Sequence, residues 1–149
     1  MIQLFHVSKT YGKDIEALVD INLHVKKGEF VFIAGSSGAG KTTLLKLLFR
    51  DELPTSGQIL VGGRNVVRLR ERHLPAFRRS LGIVFQDFKL LKDRTVFENL
   101  ALVYRIRGLP AQVGQRKVKQ LLKLVGLAHK ADFYPYRLSG GEQQRVAIA

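Results

Sequence analysis

The order of apolar and polar residues along the chain predicts strands of two kinds. Residues alternate from Ile2 to Val7 and from Ile21 to Val25, as they do in strands with one buried face. Phe30 to Ala34 and Leu81 to Phe85 are continuous apolar runs, which favours strands buried on both faces of a parallel sheet. Gln58 to Val61 reads as a further strand that ends at a Gly-Gly pair. We therefore expect a β part and a separate set of buried core strands.

Helical spacing of apolar residues appears between and after these strands. Thr42 to Arg50 places three leucines on one face of a helix. Thr95 with Glu98 matches a capping box that begins a second helix, and Pro110 opens a third. Residues 95 to 126 should therefore form a helical subdomain, and the chain should have a mixed α/β fold.

The composition limits the class of protein. A chain of 149 residues, 46% of them hydrophobic, suffices for one ordinary domain or part of one. It contains no cysteine, so neither disulfides nor a thiolate zinc site can hold it together. No basic leader precedes an apolar core, and no window reaches the length of a membrane span. We therefore expect a soluble protein.

The charge is basic and unevenly distributed. The chain has 25 Lys and Arg residues against 12 Asp and Glu residues, for a formal net charge of +13. The segment from Asn99 to Ala131 contains no acidic residue, while basic residues recur throughout it: Arg105, Arg107, Arg116, Lys117, Lys119, Lys123 and Lys130. A solvated helix surface explains such a segment. A surface for a polyanion, an acidic membrane leaflet or an acidic protein explains it equally well.

The strongest motif is a glycine-rich loop between a predicted strand and a predicted helix. It matches the P-loop pattern at every fixed position and consists of Gly35, Ser36, Ser37, Gly38, Ala39, Gly40, Lys41 and Thr42. Its glycines let backbone N–H groups approach phosphate oxygens, and the following helix points its positive end at the same anion. Lys41 would contact the β- and γ-phosphates, Thr42 would ligate Mg²⁺ and Thr43 would contact the α-phosphate. A glycine-rich turn without a ligand is the alternative, but it gives no reason for the Lys-Thr pair. We therefore expect ATP and Mg²⁺ to bind here.

A second glycine motif spans Leu138 to Gln144. Ser139 with Glu142 is a capping box for a helix, and this structural role alone could explain the motif. Gly140 and Gly141, however, are poor choices for a helix, at about 1 kcal/mol each relative to Ala. They would also expose N–H groups at a helix N-terminus, which makes a second anion site possible.

With both motifs in one chain, the sequence resembles the ATP-binding subunits of ABC transporters, whose signature begins LSGG. The resemblance covers essentially all 149 residues. It implies that Ser139, Gly140, Gly141 and Glu142 complete, in trans, a nucleotide site on the P-loop of a second subunit. The partner is then a second copy of the chain in a head-to-tail homodimer.

The resemblance also implies a fold and its division. The fold is an incomplete ABC-type P-loop NTPase domain of the α/β class, with an antiparallel β part, core strands and helix at the P-loop, and a helical subdomain. Residues 1–87 would hold the β part and the P-loop core, and about 88–137 the helical subdomain. Residues 138–149 would hold the signature motif and the start of its helix.

Two single residues gain a role from the resemblance. Tyr11 stands where the family keeps an aromatic ring that stacks on adenine, although a tyrosine after a strand is as often a turn residue. Gln86 stands in the family's Q-loop, where the side-chain amide reaches Mg²⁺ and the attacking water. Without the resemblance, Gln86 would be an ordinary polar residue at a strand end.

The amino-acid sequence from Phe85 to Leu100 resembles the FtsE branch of the family, the bacterial cell-division ATPases, more than the exporter branches. That branch implies a membrane-embedded partner of the FtsX type and a peripheral position on the cytoplasmic face of the bacterial inner membrane. An ATPase subunit of a lipoprotein or macrolide exporter is an alternative. A nucleic-acid-associated P-loop protein is another, favoured by the net charge but not by the spacing of P-loop, Gln86 and signature.

The family continues beyond the signature helix into a buried strand that ends in Asp-Glu and lies beside the strand preceding the P-loop. A His that contacts the γ-phosphate follows later. No acidic residue follows Glu142 here, and all four His residues precede the signature. We therefore expect these 149 residues to be part of a longer ATPase, to bind MgATP and to hydrolyse it little or not at all, since no complete catalytic set is present.

Overall fold

An antiparallel sheet forms the framework of the N-terminal half. The computed structural model describes all 149 residues, which fall into two compact units, Met1–Leu81 and Gly82–Ala149. The strands of the first unit are β1 (Ile2–Tyr11), β2 (Ile15–Val25), β3 (Ser56–Val61) and β4 (Arg64–Asn65). They lie in the order β2-β1-β3-β4, so that β1 pairs antiparallel with β2 on one side and β3 on the other. The alternating segments and the third short strand are confirmed, although β1 and β2 are longer than predicted.

One helix, α1 (Lys41–Leu48), joins the sheet in a common core. Its Leu44 and Leu47 are buried, as the leucine spacing predicts. A short helix, α2 (Leu74–Arg78), follows a 3-10 turn at Glu71–His73 and adds Phe77. The buried residues of this core are Leu4, Val7, Leu18, Leu44, Leu47, Ile59, Val61, Val66 and Phe77.

The second unit is helical. Its helices are α3 (Val96–Ile106), α4 (Ala111–Leu124) and α5 (Gly140–Ile148), with 3-10 turns at Ala128–Lys130 and Pro135–Arg137. Their buried residues form a second core of Val96, Leu100, Val118, Leu122, Leu127, Leu138 and Val146. The predicted helices after Thr95 and Pro110 are confirmed, and so is the mixed α/β class.

The capping box of α3 shows how the sequence sets a helix boundary. The Glu98 backbone N–H donates to the Thr95 hydroxyl at 3.2 Å, and the Thr95 N–H donates to the Glu98 carboxylate at 2.8 Å. These two bonds satisfy two of the N–H groups that the start of a helix leaves without partners. The helix ends ahead of Gly108, which has a φ of +75°.

Two predicted strands are wrong. Phe30 to Ala34 and Leu81 to Phe85 belong to no strand, and Phe30 and Phe32 are 80% and 85% exposed rather than buried. A continuous apolar run becomes a strand only where a neighbouring strand completes its hydrogen-bond ladder, and the four strands of the sheet pair only with one another. The pattern therefore identified the apolar segments correctly, but no strand of the structure pairs with either segment.

No helix of the structure is both long enough and apolar enough to cross a bilayer.

The subdomain boundaries predicted near residues 87 and 137 stay predictions.

Candidate nucleotide-binding site

The P-loop lies exposed in the first unit and leads directly into α1. Gly38 and Gly40 have φ values of +82° and +83°, in the left-handed region that favours glycine. Gly40 is the N-cap residue of α1, and no side chain hydrogen-bonds to this helix start. A Cβ at Gly40 would come within 2.3 Å of the Ala17 carbonyl oxygen. The close approach to β2 and the backbone angle therefore both require glycine at this position.

The Lys41 side chain turns back over the same loop. Its Nζ donates to the carbonyl oxygens of Gly35 at 2.8 Å and Ser36 at 2.6 Å. The ion pairs of the molecule do not include Lys41, so no carboxylate neutralises its charge. An unneutralised ammonium beside an uncapped helix N-terminus is an arrangement that suits an anion.

Tyr11 lies at the end of β1, and the structure brings it to the helix that follows the P-loop. Its hydroxyl is 3.4 Å from the Thr43 hydroxyl and donates to the carboxylate of Glu52. Burial raises the pKa of Tyr11, and the bond to Glu52 raises it further. Tyr11 therefore keeps its proton at neutral pH and remains a hydrogen-bond donor. Tyr11, predicted to stack on the base, and Thr43, predicted to contact the α-phosphate, are therefore neighbours in the structure.

Sequence reasoning missed the residues around Tyr11. Glu52 binds Lys46 Nζ at 3.0 Å and lies 3.5 Å from Lys9 Nζ, which is also 4.9 Å from the centre of the Tyr11 ring. The pKa of Glu52 is lowered, first by the bond from Tyr11 and then by Lys46. No motif could have found this cluster, because Tyr11 and Glu52 are 41 positions apart.

The signature motif lies in the second unit, where the predicted capping box is confirmed. The Ser139 hydroxyl accepts from the Glu142 N–H at 3.3 Å, and the Glu142 carboxylate accepts from the Ser139 N–H at 2.9 Å. Lys130 Nζ lies 2.6 Å from the same carboxylate. These contacts, that with Lys130 foremost, lower the pKa of Glu142 to about 2. Gly140 and Gly141 form the exposed first turn of α5.

Gln86 also lies in the second unit, exposed at a turn that the Phe88 N–H closes by donating to the Phe85 carbonyl at 3.0 Å. It was expected at the end of a buried strand, but the preceding residues are not a strand. Asp87 beside it pairs with Lys89 at 2.7 Å, and the bond from Lys89 lowers the pKa of Asp87.

The molecule contains no group of three or more His, Cys, Asp or Glu residues that could hold a metal ion. A magnesium ion at the P-loop would take its ligands from the Thr42 hydroxyl, from water and mainly from the phosphates it accompanies, as Mg²⁺ commonly does. The exposed loop and Thr42 fit an ion that arrives with its nucleotide.

A glycine loop of this geometry between the sheet and the start of α1 defines a nucleotide-binding protein of the P-loop class. The chain belongs to the ABC transporter family, whose model matches residues 18–149. It is similar to the cell division ATP-binding protein FtsE of Bacillus subtilis, with 46% identity over 149 residues, covering 100% of this chain and 65% of that protein. It is also similar to the methionine import ATP-binding protein MetN of Photorhabdus laumondii, with 47% identity over 152 residues, covering 100% of this chain and 44% of that protein.

Solved structures support the same fold. A dimeric structure of MJ0796, a bacterial ABC transporter cassette, matches with a TM-score of 0.91 and 37% identity, over 99% of this chain and 67% of that one. A dimeric post-hydrolysis state of MJ0796 bound to ADP and Pi matches with a TM-score of 0.90, 36% identity and the same coverage. The ABC-type P-loop fold is thereby confirmed, and the chain spans about two thirds or less of the relatives described above.

Proposed function

We propose that this chain binds ATP with Mg²⁺ on the loop from Gly35 to Thr42. The observation that carries the proposal is the combination of an uncapped α1 N-terminus with the Lys41 ammonium, which no carboxylate neutralises. Lys41 would exchange its two loop carbonyls for the β- and γ-phosphates, and loop N–H groups would hold the remaining phosphate oxygens. Bound Mg²⁺ would neutralise phosphate charge and orient the γ-phosphate.

The other residues of the site would contact the base, the α-phosphate and the metal ion. Tyr11 would stack on the base, and Thr43 would contact the α-phosphate, consistent with the 3.4 Å distance between their hydroxyl oxygens. Thr42 would ligate Mg²⁺ through its hydroxyl. Gln86, on its exposed turn, would orient the attacking water and contact the metal.

The signature would act on the nucleotide of a second copy of the chain. Ser139, Gly140 and Gly141 are exposed at the start of α5, where N–H groups can face a γ-phosphate, and Glu142 fixes that start through the capping box. The dimeric state of the MJ0796 structures supports a homodimer, and we propose a head-to-tail arrangement because the signature would act in trans. ATP hydrolysis is then the activity that we propose for the whole protein.

The whole protein would couple ATP binding and hydrolysis to a membrane partner from the cytoplasmic face of the bacterial inner membrane. The similarity to FtsE favours a role in cell division with an FtsX-like partner. The similarity to MetN favours an importer subunit as the second candidate, because its identity is nearly the same. The membrane protein that co-purifies with the whole protein distinguishes the two.

Replacing the P-loop lysine tests the central proposal. In Lys41→Met, calorimetry should show MgATP affinity reduced by about a hundredfold or more, since a charge-assisted contact to two phosphates is lost. Lys27→Met is the matched control, because it removes the same charge from an exposed residue ahead of the loop and should leave affinity unchanged. Equal affinities for Lys41→Met and the control would overturn the proposal.

A further inference from the structure

Glu52 joins three side chains, one of which, Tyr11, belongs to the proposed nucleotide site. Its carboxylate accepts from the Tyr11 hydroxyl, lies 3.0 Å from Lys46 Nζ of α1 and lies 3.5 Å from Lys9 Nζ of β1. The Glu52 and Lys9 side chains are only 21% and 16% exposed, so these bonds are partly shielded from water. One carboxylate thereby ties the end of β1 to the helix that follows the P-loop.

Lys9 occupies one face of the Tyr11 ring. Its ammonium lies 4.9 Å from the ring centre, and it is itself held by a 2.8 Å bond to the Leu53 carbonyl. A cation over one face of an aromatic ring is favourable, and Glu52 balances its charge. A base would therefore stack on the opposite face.

The Tyr11 hydroxyl extends the connection to the phosphate side. Because its proton goes to Glu52, its oxygen accepts from the Thr43 hydroxyl, 3.4 Å away. Glu52, Tyr11 and Thr43 thus form one hydrogen-bonded chain. This chain fixes the distance between the base-stacking ring and the helix turn assigned to the α-phosphate.

We propose that Glu52 is a positioning residue that holds the Tyr11 ring for base stacking, and that it thereby makes the site prefer a nucleoside triphosphate over an inorganic triphosphate chain. The inference rests on the proposed ATP binding at the P-loop and deepens it. Glu52 is bonded to Tyr11, Lys46 and Lys9 and has no proposed contact with a phosphate, so its effect should depend on the ligand having a base.

The test compares MgATP with magnesium tripolyphosphate, which has phosphates but no base, by calorimetry. Glu52→Gln should weaken MgATP binding about tenfold, equivalent to about 1.4 kcal/mol, and leave tripolyphosphate binding unchanged. Tyr11→Phe keeps the ring and removes the hydroxyl, so it should produce the same selective loss. The double variant should lose no more MgATP affinity than either single variant, because both substitutions break the same hydrogen bond. Asp51→Asn is the matched control, since Asp51 is the exposed neighbour of Glu52 and forms no ion pair.

The outcomes separate this inference from the proposed function. Equal losses for both ligands in Glu52→Gln would show a purely structural role, and no loss for either would show no role, so both results overturn the inference. If Glu52→Gln does not fold, Tyr11→Phe decides alone, and unchanged selectivity in that variant overturns the inference. If the unaltered protein binds neither ligand, the proposed function itself fails and the inference fails with it.

Discussion

The helix after the P-loop and the helix after the signature serine begin in opposite ways. At α1 the N-cap is Gly40 in a left-handed conformation, with no side chain bonded to the helix start and no acidic residue in the first turn. At α5 the N-cap is Ser139, and a full capping box with Glu142 satisfies backbone groups at both residues. Both helix starts contain glycine, yet the first has no side-chain acceptor for its N–H groups, whereas the second has acceptors for those of Ser139 and Glu142.

Glycine has a different role in each of the two motifs. In the P-loop, Gly38 and Gly40 have positive φ values that other residues adopt only under strain. In the signature, Gly140 and Gly141 have ordinary helical backbone angles, and a Cβ would have open space or only a distant contact. Gly38 and Gly40 are therefore required by the backbone conformation, whereas the signature glycines are not, which favours a ligand as the reason for them.

The largest effect that this comparison predicts is that of Gly40→Ala. The new Cβ would lie 2.3 Å from the Ala17 carbonyl oxygen and 2.8 Å from Leu18 Cδ2, at a φ of +83°. Backbone strain and the clash with β2 together should lower the free energy of unfolding by about 3 kcal/mol or more. Urea unfolding followed by circular dichroism measures this.

Gly38→Ala provides the control for Gly40→Ala. It has nearly the same φ, +82°, but nothing lies within 4 Å of its Cβ, so only strain remains. We expect it to lower stability by about 1 kcal/mol. Equal effects of the two variants would contradict the role given to the close approach between the loop and β2.

Gly140→Ala should have a smaller effect of opposite sign. It places a better helix former in the first turn of α5 without any contact under 4 Å, so stability should rise by about 0.5 kcal/mol. The same methyl group would obstruct the proposed contact in trans, and MgATP-dependent dimerisation should weaken. Thermal melts and sedimentation measure the two effects. A variant that loses stability would show that the fold, rather than a ligand, requires this glycine.

The sequence could predict much of these two helix starts because both depend on local chemistry. A capping box involves residues three positions apart, and Thr95 with Glu98 and Ser139 with Glu142 form as expected. The P-loop glycines and the alternating strands are likewise readable from neighbours in the chain. Predictions of this kind need no knowledge of what packs against the segment.

The errors and omissions concern contacts that are distant in sequence. Phe30 to Ala34 is apolar enough for a central strand, but strand formation depends on a neighbour that its own residues do not specify. The bond between Tyr11 and Glu52 spans 41 positions and has no periodic or motif signal. The segment from Phe30 to Ala34 is not a strand because no neighbouring strand pairs with it. The Tyr11–Glu52 bond forms because the fold brings residue 52 to the end of β1.

The smallest predicted effect is a dependence of the signature helix on pH. Lys130 and the Ser139 N–H hold the pKa of Glu142 at about 2 in the fold, compared with an ordinary value of 4.5. Because the folded pKa is the lower one, ionised Glu142 contributes its full stabilisation above about pH 5, and the contribution is lost as the pH falls through 4.5 towards 2. The difference in urea midpoint between the unaltered protein and Glu142→Gln should therefore shrink on acidification.

Glu98→Gln is the matched control, because Glu98 has the same capping box in α3, but its ion-pair partner, Arg94, is 3.9 Å away. Its contribution should vary less with pH than that of Glu142, whose ammonium partner is at 2.6 Å. A Glu142→Gln difference that stays constant from about pH 6 to about pH 3 would contradict the lowered pKa. A shrinking difference would show that ionised Glu142 stabilises the first turn of α5, whereas the helix after the P-loop has no acidic residue in its first turn.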